Sequence, residues 1–260
     1  MSTLYIRLPS KAAADSAPHW VALACPFALV AHGGAIECEG AAPLSDLFNT
    51  IAKAQRVVLL LAASDVTLLR VQAPPLSVAR LKAALPNLVE ERLIADPADC
   101  VVVAGGVSDG LRTVAVAQRA WLAIIAKTLV ASGARHIVAL PAQLCLPYQP
   151  GSVTAAINEQ DACIDVTLRL SEQDGIGLAI TREQHEASAH EVVQTLCAVV
   201  PETPIALYVP QPAARTYQEI INNVVALNGR ISVFSDNWSR WVAGAHGTTL
   251  DLMVGLGAGS

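Results

Sequence analysis

Residues 57–63 read Val-Val-Leu-Leu-Leu-Ala-Ala. The run is too short for a helix and apolar at every position, which is the signature of a strand buried on both faces. Such a strand needs cover above and below, so the run predicts a layered α/β fold. The flanks agree. DVTLLRVQAP (65–74) reads as a second strand, closed by Pro74-Pro75, and LSDLFNTIAKA (44–54) as an amphipathic helix with Ser45 as N-cap. Upstream, LYIRLP (4–9), HWVALAC (19–25) and FALVAHGGAIECEG (27–40) are rich in β-formers and predict a three-stranded meander turning at Gly33-Gly34.

Downstream, Ser77 is placed to cap a helix through SVARLKAALPNLVEERLIAD (77–96), whose apolar positions keep helical spacing. Pro86 is expected to break or kink it, because proline lacks the N–H and crowds the preceding turn. CVVVAGGV (100–107) and LRTVAVAQ (111–118) read as strands around Ser108-Asp109-Gly110. A helix from Ala120 to Ser132 stops at Gly133, and HIVALPAQLCLP (136–147) leads out of this half. The second half repeats the logic. SVTAAIN, CIDVTLRL and GIGLAI form another meander, followed by helix HEASAHEVVQTLCAVV, strand IALYVP, helix RTYQEIINNVVALN and strand RISVF. A meander followed by alternating helices and strands, occurring twice, predicts a duplicated ribonuclease-H-like fold with an actin-like, two-lobed architecture.

Composition narrows the function. The chain has 260 residues, enough to bury roughly three quarters of its extended surface. It is 53% hydrophobic, mostly through alanine and valine, since aromatics make up only 4%. Its longest apolar run, Val57 to Ala63, falls far short of the ~20 residues a membrane helix needs. MSTLYIRLPSK has no basic region followed by an apolar stretch, so the chain as given is expected to be soluble and made in the cytoplasm. A net charge of −5 without a basic stripe argues against nucleic acid. Cys25, Cys38, Cys100, Cys145, Cys163 and Cys197 form no C-x-x-C pair, and free buried thiols are expected rather than a metal site.

Catalytic motifs are absent. There is no phosphate loop and no G-x-S-x-G elbow. Gly255, Gly257 and Gly259 imitate a G-x-G pattern with no helix after them and read as a flexible tail, while Gly175 and Gly177 read as turn geometry. His185 and His190 are five residues apart, not the four that put two imidazoles on one helix face. Adjacent Glu90 and Glu91 point in different directions on a helix and make a poor acid/base pair. The actin-like outline sharpens the point. Its nucleotide sites use a glycine turn and an aspartate in the first hairpin of each lobe. LYIRLPSK offers neither, Asp161 and Asp165 have no glycine between them, and Tyr208-Val209-Pro210 stands where a glycine-rich adenosine loop belongs. No catalytic residue, cofactor or metal is therefore expected.

VVLLLAASDVTLLRV (57–71), LPNLVEERLIADPADC (85–100) and LDLMVG (250–255) resemble the L-component family of type II secretion, GspL, and the likeness runs from LYIRLP to TTLDLMVG. The second stretch also resembles a distant actin-like pilus-assembly relative. The resemblance implies a cytoplasmic fragment cut just before a transmembrane helix, at the cytoplasmic face of a bacterial inner membrane. It implies a scaffold that recruits the N-terminal domain of the secretion ATPase and contacts other inner-membrane platform proteins, with a homodimer among the assemblies it allows. The expected organisation is a first lobe at 1–147, with 77–118 as a protruding subdomain, a second lobe at 148–249 and a juxtamembrane tail at 250–260. The charged surface of the subdomain (Arg80, Lys82, Glu90, Glu91, Arg92, Asp96 and Asp99) is the expected protein interface. The alternative is an actin-like protein that binds a nucleotide as a structural ligand, which the missing glycine and aspartate in LYIRLPSK disfavour.

Overall fold

The computed structural model describes residues 2–161, 163–181, 188–224, 227 and 229–257. In the first half the chain forms β1 (Thr3–Arg7), α1 (Lys11–Ser16), β2 (Ala24–Val30), β3 (Ile36–Pro43), α2 (Phe48–Lys53), β4 (Arg56–Leu61) and β5 (Val66–Val71). It continues with α3 (Val78–Val89), β6 (Cys100–Ser108), β7 (Leu111–Gln118), α4 (Arg119–Ala131), β8 (Ile137–Pro141) and α5 (Ala142–Cys145). The second half adds β9 (Val153–Glu159), β10 (Cys163–Arg169), β11 (Gly175–Thr181), α6 (Ser188–Val199), β12 (Ile205–Val209), α7 (Ala214–Asn222), β13 (Ile231–Ser235), α8 (Trp238–Gly247) and α9 (Met253–Leu256).

Two five-stranded sheets, ordered β3-β2-β1-β4-β8 and β11-β10-β9-β12-β13, share one plan. In each, the first three strands pair antiparallel and the next two parallel. This is the duplicated ribonuclease-H-like arrangement predicted from the sequence. β4 lies between β1 and β8. Val57, Leu59 and Leu61 enter the core under α2 and α4, while Val58 and Leu60 enter a second core shared with α8. Burial on both faces explains why the run has no polar position, each large side chain contributing ~1.5–3 kcal/mol. A smaller sheet, β5-β7-β6, packs against α3 through Leu81, Leu85 and Val89.

The structure corrects several expectations. The meander has three strands, but HWVALAC is mostly a short 3-10 turn at Trp20–Ala22, and β2 and β3 both come from the stretch around Gly33-Gly34. Ser45 caps nothing; it lies inside a 3-10 turn, Leu44–Leu47, that precedes α2. Pro86 does not break α3, which runs on to Val89 before a 3-10 turn at Glu90–Arg92. Proline near the end of a helix orphans only one carbonyl, that of Lys82, on an exposed residue. The small sheet begins earlier than 77, because β5 belongs to it. Gly175 and Gly177 are strand residues rather than turn residues. A Cβ on Gly177 would lie 1.9 Å from the Ser64 amide nitrogen, so β11 brings its bare backbone against the turn at Ala63–Asp65. The six cysteines are free; Cys38, on edge strand β3, is exposed and Cys197 half-buried, against the expectation of burial.

The end of the described chain returns to the first lobe. α8 lays Trp238, Trp241, Val242 and Ala245 into the core between the two large sheets. Leu250 and Leu252 are buried in the core beneath β4. The Leu252 amide donates to Ala139 O (2.8 Å), and the Ala139 amide to Asp251 Oδ1 (2.9 Å), so this stretch lines β8. Gly255 lies so close to Val101 that a Cβ would be 2.3 Å from its Cγ1. The stretch read as a tail is therefore built into the fold up to α9; Gly259 lies outside the described residues.

Candidate functional site

A cavity of about 610 Å³ lies between the lobes, lined by residues of both. Arg7 ends β1 in the first lobe, and Asp236 follows β13 in the second. Arg7 Nη1 donates to Asp236 Oδ2 at 2.7 Å, and Nη2 reaches Ile157 O at 3.4 Å. The guanidinium lies 4.2 Å from the ring centre of Trp241, whose Nε1 donates to both Asp236 oxygens at 2.9 and 3.0 Å. Burial pulls the Arg7 guanidinium down from its ordinary pKa, and the Asp236 carboxylate works against that shift. Among the described residues, the other charged side chains lining the cavity are Glu39 and Glu159. Arg7 is thus committed to an internal pair with Asp236 and is not free to take a phosphate.

A second polar joint lies beside it. The N-terminus of α1 has two amides with no helical acceptor, and the protein's own carboxylates take them. Ser10 N donates to Asp165 Oδ2 (3.0 Å) on β10, and Lys11 N to Asp65 Oδ2 (2.8 Å) at the turn before β5. Trp121 Nε1 also reaches Asp65 Oδ2, at 3.3 Å, and Ser10 Oγ accepts from Ala13 N. Burial pushes the Asp65 carboxyl up to about 7; Asp165 adds to the rise, and the Lys11 amide and Trp121 indole oppose it. Burial also raises Asp165, against the Ser10 contacts and the charge of Arg7. First-turn amides are where an anion would otherwise bind. Here the Ser10 amide ties the first lobe to the second, and the Lys11 amide is held within the first.

The expected interface residues are all exposed. Arg80 and Lys82 stand on α3, and Glu90, Glu91 and Arg92 form the turn after it. Asp96 accepts from Ala98 N (2.8 Å) and so caps the turn that holds Asp99. Arg92 Nη1 donates to Arg70 O at 2.8 Å, fixing that turn against β5. Lys82, Glu90 and Asp96 come together on a cavity of about 450 Å³ that Arg119 also lines; Arg80, Glu91, Arg92 and Asp99 do not line it. Beside it, sharing Lys82, Val102 and Gly255, is an apolar cavity of about 240 Å³. The two form one trough between α3 and α9.

The family model for type II secretion system (T2SS), protein L matches residues 4–221. The chain belongs to that family. A search of curated proteins returns no match. Among solved structures, the cytoplasmic domain of EpsL, an inner-membrane component of the type II secretion system of Vibrio cholerae, is similar with a TM-score of 0.66 and 18% identity, over 97% of this chain and 98% of that one. A PilM-PilN type IV pilus biogenesis complex gives 0.54 at 13% identity, over 98% of both chains. A Bacteroides thetaiotaomicron protein of actin-like ATPase fold and unknown function gives 0.50 at 10%, over 94% and 95%. At these identities the likeness is one of fold, and the fold is actin-like. Among the described residues of this family member, no helix is long and apolar enough to cross a membrane.

The sequence reading missed the Arg7–Asp236–Trp241 cluster and Asp65. A signal for the first existed: an arginine inside the apolar strand LYIRLP must find a partner, and Trp238 and Trp241 sit three apart on one helix face. Asp165 was singled out; it is a joint residue. Asp161 is exposed, as is His190 on α6, while His185 lies outside the described residues.

Proposed function

We propose that this chain is a non-enzymatic scaffold of the inner-membrane platform of type II secretion, standing on the cytoplasmic face and recruiting the secretion ATPase through that enzyme's N-terminal domain. Family membership carries the secretion role. The observation that favours a scaffold over a nucleotide-dependent protein is that the arginine lining the interlobe cavity, and the first-turn amides of α1 outside it, are committed to the protein's own carboxylates. The block from 77 to 118, with its mixed-sign exposed charges, is the proposed contact, since polar rims set partner choice and association rate. Reversing Glu90 and Glu91 together, with Arg92 kept because it holds the turn to β5, should weaken co-purification with the ATPase and leave the melting temperature nearly unchanged. Undiminished binding at several salt concentrations would move the interface elsewhere.

The size of the interlobe cavity keeps a structural nucleotide testable as the second reading. Millimolar ATP with magnesium should give no thermal shift beyond an ionic-strength control. A ligand at a hundredfold its dissociation constant would stabilise by ~2.7 kcal/mol, which is easily seen.

A further inference from the structure

The trough between α3 and α9 has a strand edge for its floor. β6 is one of the two outer strands of the three-stranded sheet, β5 being the other. Val101 and Val103 face α9 and the first-lobe core, where Gly255 lies against both, while Cys100, Val102 and Ala104 face α3. Yet Val102, Val103 and Ala104, three residues in a row, all line the apolar end of the trough. Consecutive strand side chains point to opposite faces, so a cavity touches all three only across the open edge. The hairpin fixes which peptide groups that edge presents. Asp109 and Gly110 both have positive φ and form a two-residue turn closed by the Ser108–Leu111 pair. Counting along β7, which stays regular where β6 shifts register between Ala104 and Val107, Val101 and Val103 bond to β7 opposite Ala117 and Ala115, and the N–H and C=O of Val102 and Ala104 point to the free side.

Proteins normally blunt such an edge with lysine, proline, a bulge or a covering element. β6 has a register shift between Ala104 and Val107, which leaves Val101 to Ala104 in regular pairing. Residues 100–108, CVVVAGGVS, carry no charge and no proline. Around the edge the surface is apolar: Val78 on the α3 wall is 87% exposed and Val254 on the α9 wall 63%. The charged residues at this end are both cationic, Lys82 and Arg112. Lys82 makes no ion pair among the described residues. Arg112 donates Nη1 to Gly105 O (2.7 Å) and keeps a buried Nε without a partner. Farther along the trough the charges are mixed, with Glu90 and Asp96 beside Arg119.

We infer that the free edge of β6 takes an extended segment of a partner protein by strand addition. The main chain of that segment bonds to Val102 and Ala104. Its alternate apolar side chains point to the α3 wall and to Val254, and a carboxylate faces Lys82 and Arg112. Five added residues at ~3.3 Å each span about 17 Å, the length of a twelve-residue helix such as α3 at ~1.5 Å per residue. For the identity of the partner, though not for the mode of binding, this rests on the recruitment reading above.

Amide exchange of Val102 and Ala104, read by NMR, tests it with the purified ATPase and, in separate arms, with the soluble part of each other inner-membrane platform protein. One arm should slow both amides at least tenfold, and in that arm Val78→Glu should weaken binding tenfold or more. Ala104→Pro removes one outward N–H at an edge where proline is tolerated, and should do the same. If the ATPase binds while both amides exchange as in the free chain and both variants bind like the parent, strand addition is wrong and recruitment stands. If the ATPase does not bind, recruitment falls and the other arms decide; with no arm slowing these amides, strand addition falls too.

Discussion

Replacing Asp236 by alanine should cost about 3 kcal/mol, at the lower end of the ~3–5 kcal/mol seen when one partner of a buried ion pair is removed. The side chains of Arg7 and Asp236 are only 10% and 13% exposed, so solvent can take up little of the orphaned charge. The low end applies because Arg7 keeps Ile157 O and the face of Trp241. Trp241 Nε1 also loses its acceptor, and a stranded buried donor costs ~1–3 kcal/mol of that total. For a chain of this size the melting temperature should fall by roughly 6–12 °C. Urea unfolding followed by tryptophan fluorescence measures the loss directly. The double variant Arg7→Met with Asp236→Leu should recover only part of it, because no charge is then orphaned but Trp241 Nε1 still lacks its acceptor. If Asp236→Ala stays within ~1 kcal/mol of the parent, or the double variant is worse than the single, the pair is not what holds this joint.

Asp65, raised from about 3.8 to about 7, binds its proton more tightly in the folded chain, so stability should decline as pH rises through that window. Asp65→Asn keeps an acceptor for Lys11 N and Trp121 Nε1, and should gain on the parent between pH 5 and 8 in melting experiments; parallel curves would sink the argument. Leu59→Asp or Leu60→Asp, each placing an unpaired charge at a fully buried position, should leave insoluble protein, and a soluble variant with a cooperative melt would show β4 to be misplaced. Gly177→Val should destabilise by more than the ~1–3 kcal/mol of ordinary overpacking, since the Ser64 backbone cannot yield as a side chain does; a neutral result by urea titration would deny the close approach of β11 to the first lobe.

What could be read from the sequence was local. The apolar run of β4, the glycine stop after α4 and the Asp109-Gly110 turn each state their structure within a few residues, and the doubled meander gave the architecture. The interlobe contacts were hidden because they join distant residues: Arg7 meets Asp236, and Ser10 meets Asp165. A buried arginine announces that it needs a partner but not where the partner lies. HWVALAC misled because its β-formers alternate, although proline at 18 and the tight path out of α1 leave room for one turn. The interface charges were easy to find and uninformative, since any exposed helix carries them. The β6 edge and its trough depend on what fails to cover them, which no local pattern records.

The return of the last described elements to the first lobe also sets an order of events. Translation delivers β1 to β8 first, but the core above β4 stays open until Trp241 arrives, and the core below it until Leu250 and Leu252 do. The second lobe, whose own core runs from Val153 to Ile231, can close sooner. The lobe made first should therefore be finished last, with Tyr5, Val58 and Leu60 exposed on the ribosome until Trp241, far later in the chain, has been added, a window in which a chaperone has something to hold.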